Sequence, residues 1–179
     1  NSNTAIGISA LFNNTTGGGN TAIGRNALQS NTTGSYNTAN GYYALQSTTT
    51  GGFNTAKGQG ALQNNTTGTN NTAIGISAGT YISDGSNQTI TNNSMFIGSD
   101  TRALADNQTN QIVIGHQAIG LGSNSVVLGS ASIIKTQLRG QVIMGSFASA
   151  PTGIEGAIYY DSTTKKHRGF NGTAWTDLY

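Results

Sequence analysis

The chain has 179 residues, of which 26 are glycine, one is proline and none is cysteine, and only 8% are charged. A net charge of +2 is too small to indicate nucleic-acid binding, and no apolar run is long enough to span a membrane. The absence of cysteine excludes disulfides and thiolate metal sites. No arrangement of acid and base residues suggests catalysis, so we expect no enzyme, no cofactor and no metal.

The first predicted element is a short motif, NTAIG, whose copies start at positions 3, 20, 37, 54 and 71, so that the step is constant. A short fixed period rich in Gly, Asn and Thr indicates a repeat architecture without helices. Each unit contains two apolar segments, T-A-I and A-L, bounded by Gly and Asn, which predict two strands and two turns. Residues 1–79 are therefore predicted to form a β-solenoid shaft of 17-residue coils. Because the chain opens inside a repeat and lacks an initiator Met, we expect a piece of a longer protein.

Equivalent positions of successive units form columns, and adjacent strand residues point in opposite directions. The third position is always Ala and a later one is Leu, so we assign both columns to the interior. The fourth position is Ile in three units but Asn40 and Lys57 in the other two, so this column is predicted to face outward. The alanine column is Ala5, Ala22, Ala39, Ala56 and Ala73, and the leucine column is Leu11, Leu28, Leu45 and Leu62.

A single coil buries too few apolar groups to offset the conformational entropy that is lost when the whole unit is ordered, which predicts a homotrimer. The fourth column then faces either the trimer axis or solvent, and its isoleucines favour the axis. On the axis, Asn40 and Lys57 of three chains would form a polar layer that holds an anion or water.

Beyond residue 79 the pattern changes, and residues 80–93 are predicted to be a polar insertion. The strand motif returns as SMFIG, QIVIG and SVVLG, which start at positions 94, 111 and 125, so the step is first unchanged and then shorter. Residues 94–134 are predicted to continue the solenoid in coils of these two lengths, and 135–155 to be a transition or linker. SVVLG with its 14-residue step resembles the head repeats of trimeric autotransporter adhesins. The resemblance implies a left-handed β-roll in a homotrimer.

The last predicted element is residues 156–179, GAIYYDSTTKKHRGFNGTAWTDLY, which reads as strand, turn, strand, turn and a short end. This segment resembles the β-hairpin endings of bacteriophage tail fibres and related surface fibres. The resemblance implies a tip that binds a host cell-surface receptor, either a glycan or an outer-membrane component; contact between chains is the alternative. The candidate receptor-binding residues are Lys165, Lys166, His167, Arg168, Phe170, Trp175 and Tyr179.

Aromatic residues in the third and fourth coils are a second candidate site. Tyr36 and Phe53 occupy the same column, and Tyr42 and Tyr43 follow one of the strand motifs. Exposed, stacked aromatic rings could seat a sugar ring, and packing between chains is the alternative interpretation.

The Asn and Thr columns allow three interpretations. Asn14 and Asn31 begin glycosylation sequons, but turn chemistry and side-chain ladders explain the same pattern, and we favour them. The Thr columns beginning at Thr15 and Thr16 resemble ice-binding arrays, although the following Gly predicts a turn. Thr48 is expected in an exposed turn.

The sequence thus predicts an all-β, homotrimeric β-solenoid with a small C-terminal β-hairpin tip. Its expected function is that of the distal part of a phage tail fibre, extracellular on the virion, which attaches to a host surface. The alternatives are a bacterial adhesin head at the cell surface, an ice-binding β-solenoid and a purely structural spacer. We expect no nucleic-acid partner and no membrane insertion.

Overall fold

The structure is a computed structural model, and it describes residues 2–133, 146–147 and 158–178. These residues contain no helix, which confirms the all-β class for the described part of the chain. Accordingly, none of them belongs to a helix that could cross a bilayer. The chain divides into two compact units, Asn1–Thr136 and Gln137–Tyr179.

The first unit is a parallel β-solenoid of about seven turns, as predicted. Eight of its strands form one parallel sheet in the order β1-β2-β3-β4-β5-β7-β9-β10, and β6 pairs with β8 in a second parallel sheet. The strands are β1 (Thr4–Ile6), β2 (Thr21–Ile23), β3 (Thr38–Asn40), β4 (Thr55–Lys57), β5 (Thr72–Ile74), β6 (Thr91–Asn92), β7 (Met95–Ile97), β8 (Gln108–Thr109), β9 (Gln111–Ile114) and β10 (Ser125–Leu128).

Strand register follows the repeat. Thr4 lies opposite Thr21, Thr21 opposite Thr38, and the same step continues to β5. The step from β5 to β7 is longer, because Thr72 lies opposite Met95 and the additional chain is accommodated near a small bridge between Tyr81 and Asn87. Within the predicted insertion 80–93, the last residues have already rejoined the solenoid as β6.

The alanine and leucine columns form the interior, as predicted. Ala22 and Leu28 are fully buried, as are their equivalents in the third and fourth coils. Only the first coil departs, because Ala5 lies on the edge strand of the sheet and is exposed. Asn40 and Lys57 are exposed, which confirms that the fourth column points away from the interior.

The prediction of two strands in every coil is wrong for the first four coils. Their A-L segment is a turn, and its leucine adopts the left-handed conformation, with φ of 51° at Leu28. The turn still contributes to stacking, because the Leu28 N–H donates to the carbonyl of Ala44 in the next coil at 3.1 Å, and its equivalents do the same. Left-handed backbone places the leucine side chain inside the coil without a second strand.

The threonine pairs lie at bends, so the turn interpretation of these columns is confirmed. The Thr32 hydroxyl donates to the carbonyl of Thr49 at 3.0 Å, and the neighbouring coils repeat the contact. The expectation for Thr48 is wrong: it is fully buried, and its hydroxyl donates to the Asn65 carbonyl at 2.9 Å. Thr48 occupies the column that holds Asn14, Asn31 and Asn65. The residue types in the turn do not indicate that this position points inward.

The coil becomes shorter between β9 and β10, where Gln111 lies opposite Ser125. Asp106 lies in the coil before it, which keeps the regular step, because Met95 lies opposite Ile112. Its carboxylate Oδ1 accepts the N–H groups of Thr89 and Ile90 at 2.9 and 2.8 Å, and its Oδ2 accepts the Thr89 hydroxyl. Partial burial raises the pKa of this carboxyl, but the hydrogen bonds outweigh it, and the pKa lies below its ordinary value.

The second unit contains β11 (Ser146–Phe147), β12 (Ile158–Asp161), β13 (Lys166–Phe170) and β14 (Trp175–Asp177). Strand β11 pairs in parallel with β12, while β12, β13 and β14 pair in antiparallel order. Apart from β11, the predicted linker 135–155 lies outside the described residues.

Asp106→Asn tests the role of this carboxylate, because the amide keeps an acceptor oxygen and loses the charge. Since the folded pKa is lowered, the carboxylate stabilises the fold fully above its unfolded pKa, and the stabilisation disappears as pH falls through the folded value. We expect the variant to be about 1–2 kcal/mol less stable at about pH 6. Thermal unfolding of both proteins should converge in acid, and a difference that stays constant down to acid pH would contradict this role.

Candidate functional site

The predicted receptor-binding residues come together in the second unit. Lys166, His167, Arg168 and Phe170 lie on β13, and Trp175 begins β14 beside them. Lys165 is exposed in the preceding turn, where its φ is 61°. Tyr179 lies outside the described residues.

An aromatic cluster stabilises this antiparallel sheet. The Trp175 ring meets the ring of buried Tyr159 edge-on, with centroids 4.6 Å apart, and its centroid lies 5.2 Å from that of Phe170. The Tyr160 and His167 rings lie 5.2 Å apart. Phe170 and Trp175 therefore contribute to packing, and both side chains are only partly open to a ligand.

Two of the three cations predicted to bind a receptor are paired within the sheet. Lys166 Nζ lies 2.5 Å from Asp177 Oδ2, and Arg168 lies between Asp177 Oδ1 at 3.2 Å and Asp161 Oδ2 at 3.5 Å. Hydrogen bonding from Lys166 and the charge of Arg168 hold the pKa of Asp177 below its ordinary value. The backbone N–H of Thr164 and the charge of Arg168 lower the pKa of Asp161. Lys165 forms no ion pair with a described residue and is the cation best placed to meet a ligand.

The shaft aromatics form two pairs rather than one cluster. Tyr36 and Phe53 stack with centroids 5.0 Å apart and planes 19° from parallel, and they are 62% and 60% exposed. The Tyr36 ring also lies close over Gly19. Stacking covers the inner faces of these rings, so a sugar would meet their edges or the outer face of Phe53.

The second pair lies at the opposite end of β3. The Tyr42 and Tyr43 ring centroids are 3.9 Å apart, and the Arg25 guanidinium carbon lies 5.9 Å from the centroid of Tyr42. A hydrogen bond with Tyr43 raises the pKa of the Tyr42 phenol. Arg25 can make a cation–π contact here.

Asn40 and Lys57 are adjacent Cα partners on β3 and β4, and both side chains leave the outer face of the large sheet. The structure therefore places both residues side by side on the outer face of that sheet.

Sequence reasoning missed how much of that face is apolar. Alternate residues of the strands point outward. Period-two alternation within each strand motif was the signal that would have found them. The exposed apolar residues on this face are Ile6, Ile74, Ile112, Val126 and Leu128, each at least 36% accessible.

The chain matches no protein-family model, and comparisons with curated proteins and with solved structures yield no match. Among residues 2–133 and 158–178, no group of three or more His, Asp or Glu side chains could hold a metal ion.

Arg168→Met tests the ion-pair arrangement of the second unit. It retains most of the side-chain volume but leaves Asp161 and Asp177 without the guanidinium, so the sheet should loosen. Trp175 is the only tryptophan, and its fluorescence should shift to longer wavelength and report a lower melting temperature for this unit. Lys165→Met, which breaks no ion pair, should leave both unchanged. Equal spectra and melting for the two variants would contradict the arrangement.

Proposed function

We propose that this chain is a segment of a homotrimeric receptor-binding fibre, the distal part of a phage tail fibre. One observation carries the proposal: the outer face of the eight-stranded sheet is apolar over much of its length, and no part of residues 2–133 covers it. Monomeric soluble proteins rarely leave contiguous apolar patches larger than a few hundred Å² exposed.

The dimensions of this face suit a permanent interface. Eight strands about 4.8 Å apart make the sheet about 35 Å long, and each strand presents three or four residues, or about 10–13 Å, across it. The area is then on the order of 500 Å² per chain, and side-chain relief increases it toward the roughly 800 Å² per partner of a standard interface. Further copies of the same chain are the occupant we propose, because a closed ring around one axis buries the same face of every copy.

Three copies are favoured by the resemblance of the SVVLG coils to trimeric adhesin heads, which also implies a left-handed roll. A rod of this kind supplies length and stiffness, and we assign recognition to residues 156–179 as a C-terminal tip. Lys165 supports this assignment, because it is exposed and free of the ion pairs that involve Lys166 and Arg168. The receptor is a glycan or an outer-membrane component.

A bacterial adhesin head at the cell surface uses the same architecture and is the second candidate.

One observation supports the ice-binding alternative, although it concerns threonines outside the columns that begin at Thr15 and Thr16. Thr38 and Thr55 lie in register on the outer face of the sheet and are exposed. Thermal hysteresis in a cooled solution would favour ice binding, and its absence would favour the fibre.

Native mass spectrometry tests the assembly. We expect three times the 18.3 kDa chain mass at micromolar concentration, because the apolar sheet face is covered only by other copies. A double variant, Ile112→Lys with Val126→Lys, places charges in the interface and should yield monomers. Thr67→Lys, at an exposed bend outside the strands, is the control. A folded wild-type monomer at this concentration would refute the trimer.

Binding to cells tests the recognition role. Labelled full-length chain should be retained on susceptible bacteria from a panel, and Lys165→Glu should weaken retention about tenfold, as expected for the loss of about 1.4 kcal/mol. Thr67→Glu, exposed on the solenoid, should bind as wild type. If both variants bind equally, Lys165 has no recognition role; if no strain retains the wild type, the spacer alternative gains.

A further inference from the structure

The first four coils of the solenoid carry positive charge with no acidic counterpart. Residues 1–83 contain only two charged side chains, Arg25 and Lys57, and the first carboxylate in the sequence is Asp84. Arg25 lies near the ring of Tyr42. Lys57 is exposed and forms no ion pair with a described residue. In any parallel assembly of identical chains, the neighbouring copies also offer no carboxylate at this level.

Lys57 lies within a small polar zone of an otherwise apolar column. Asn40 is its direct Cα partner on β3, and the next members of the column on either side are Ile23 and Ile74. The exposed Thr38 and Thr55 lie two residues earlier on the same face, also in register. Each chain thus presents an ammonium group, an amide and two hydroxyls between two isoleucine levels.

From this arrangement we propose that the trimer holds a small inorganic anion on its axis, between Asn40 and Lys57 of the three chains; the site rests on the trimer proposed above. Symmetry brings three Lys57 ammonium groups to one level, where they repel each other unless a negative charge lies between them. An anion on the axis accepts charge-assisted hydrogen bonds from all three. The Asn40 amides, one coil away, supply further donors.

The isoleucine levels strengthen such a site. Three Ile23 side chains on one side and three Ile74 side chains on the other exclude water along the axis. The lower local dielectric increases the attraction between the ammonium groups and an enclosed ion. The lower dielectric also increases the repulsion among the three ammonium groups when no anion is bound. The melting temperature of the trimer should therefore depend on the anion supplied.

Bromide is a suitable probe, because it is monovalent and scatters anomalously. We compare wild type with Lys57→Met, which keeps the side-chain length and removes the charge, and with Gln59→Met, an exposed neighbour beyond β4. Added sodium bromide should raise the melting temperature of wild type and Gln59→Met saturably, as expected for a ligand that binds only the folded state. Lys57→Met should remain trimeric, melt higher than wild type without bromide, and lack the saturable rise. A crystal soaked in bromide should give an anomalous peak on the threefold axis between Asn40 and Lys57.

The outcomes separate this site from the assembly. A monomeric native mass refutes the trimer and the enclosed site together. A trimer in which wild type and Lys57→Met respond equally to bromide refutes the anion site alone. Stabilisation of wild type by dextran sulfate but not by bromide places Lys57 on the outer surface, because a long polymer cannot enter a closed axis, and also overturns the proposal.

Discussion

The rod depends on one repeated interaction, a hydrogen bond between a backbone N–H and an asparagine of the coil before it, which recurs from Asn20 to Ser94. The Asn37 N–H donates to Asn20 Oδ1 at 2.9 Å, and the Asn54 N–H donates to Asn37 Oδ1 at 3.0 Å. The Asn54 amide also donates to the carbonyl of Gly68 at the corner of its own coil, at 2.9 Å. A buried amide left without these partners would cost stability, so every coil must stack in register on its neighbour. Glycine next to the strand follows from the same stacking, because a Cβ on Gly24 would lie 2.6 Å from the Gly41 carbonyl oxygen.

Where the repeat is interrupted, the interior keeps its volume by other means. The leucine column ends at Leu62, and Gly79 occupies the next position. Phe96 replaces an alanine of the neighbouring column and fills the vacated space; a Cβ on Gly79 would lie 2.8 Å from its ring. In the coil that follows, Asp106 accepts the N–H groups of Thr89 and Ile90 with its side chain, whereas in the regular coils a backbone carbonyl, such as that of Thr49, accepts the equivalent N–H groups. Both substitutions keep contacts between neighbouring coils where the repeated residues are absent.

The same stacking separates the interior, which the asparagine, alanine and leucine columns fill, from the outer face of the sheet. On that face Ile74 is 41% exposed and Val126 61%, and Asn40 and Lys57 interrupt the apolar residues at one level. The proposed trimer would cover the exposed apolar residues, and the proposed anion would neutralise the charge of Lys57. In the second unit, by contrast, the cross-strand pairs of Arg168 with Asp161 and Asp177 neutralise most of the charge that had suggested a binding site.

The sequence by itself determined the solenoid, its 17-residue register and its interior columns. Each of these depends on a pattern that recurs at a fixed step, and only one register places every alanine on an alanine. Only the tertiary structure decided that Leu28 is buried from a left-handed turn rather than a strand, that Thr48 points inward, and that Lys166 is paired with Asp177. Each of these depends on what a neighbouring coil or strand presents at that position. Composition and spacing report the path of the chain, whereas burial and pairing depend on contacts between residues far apart in sequence.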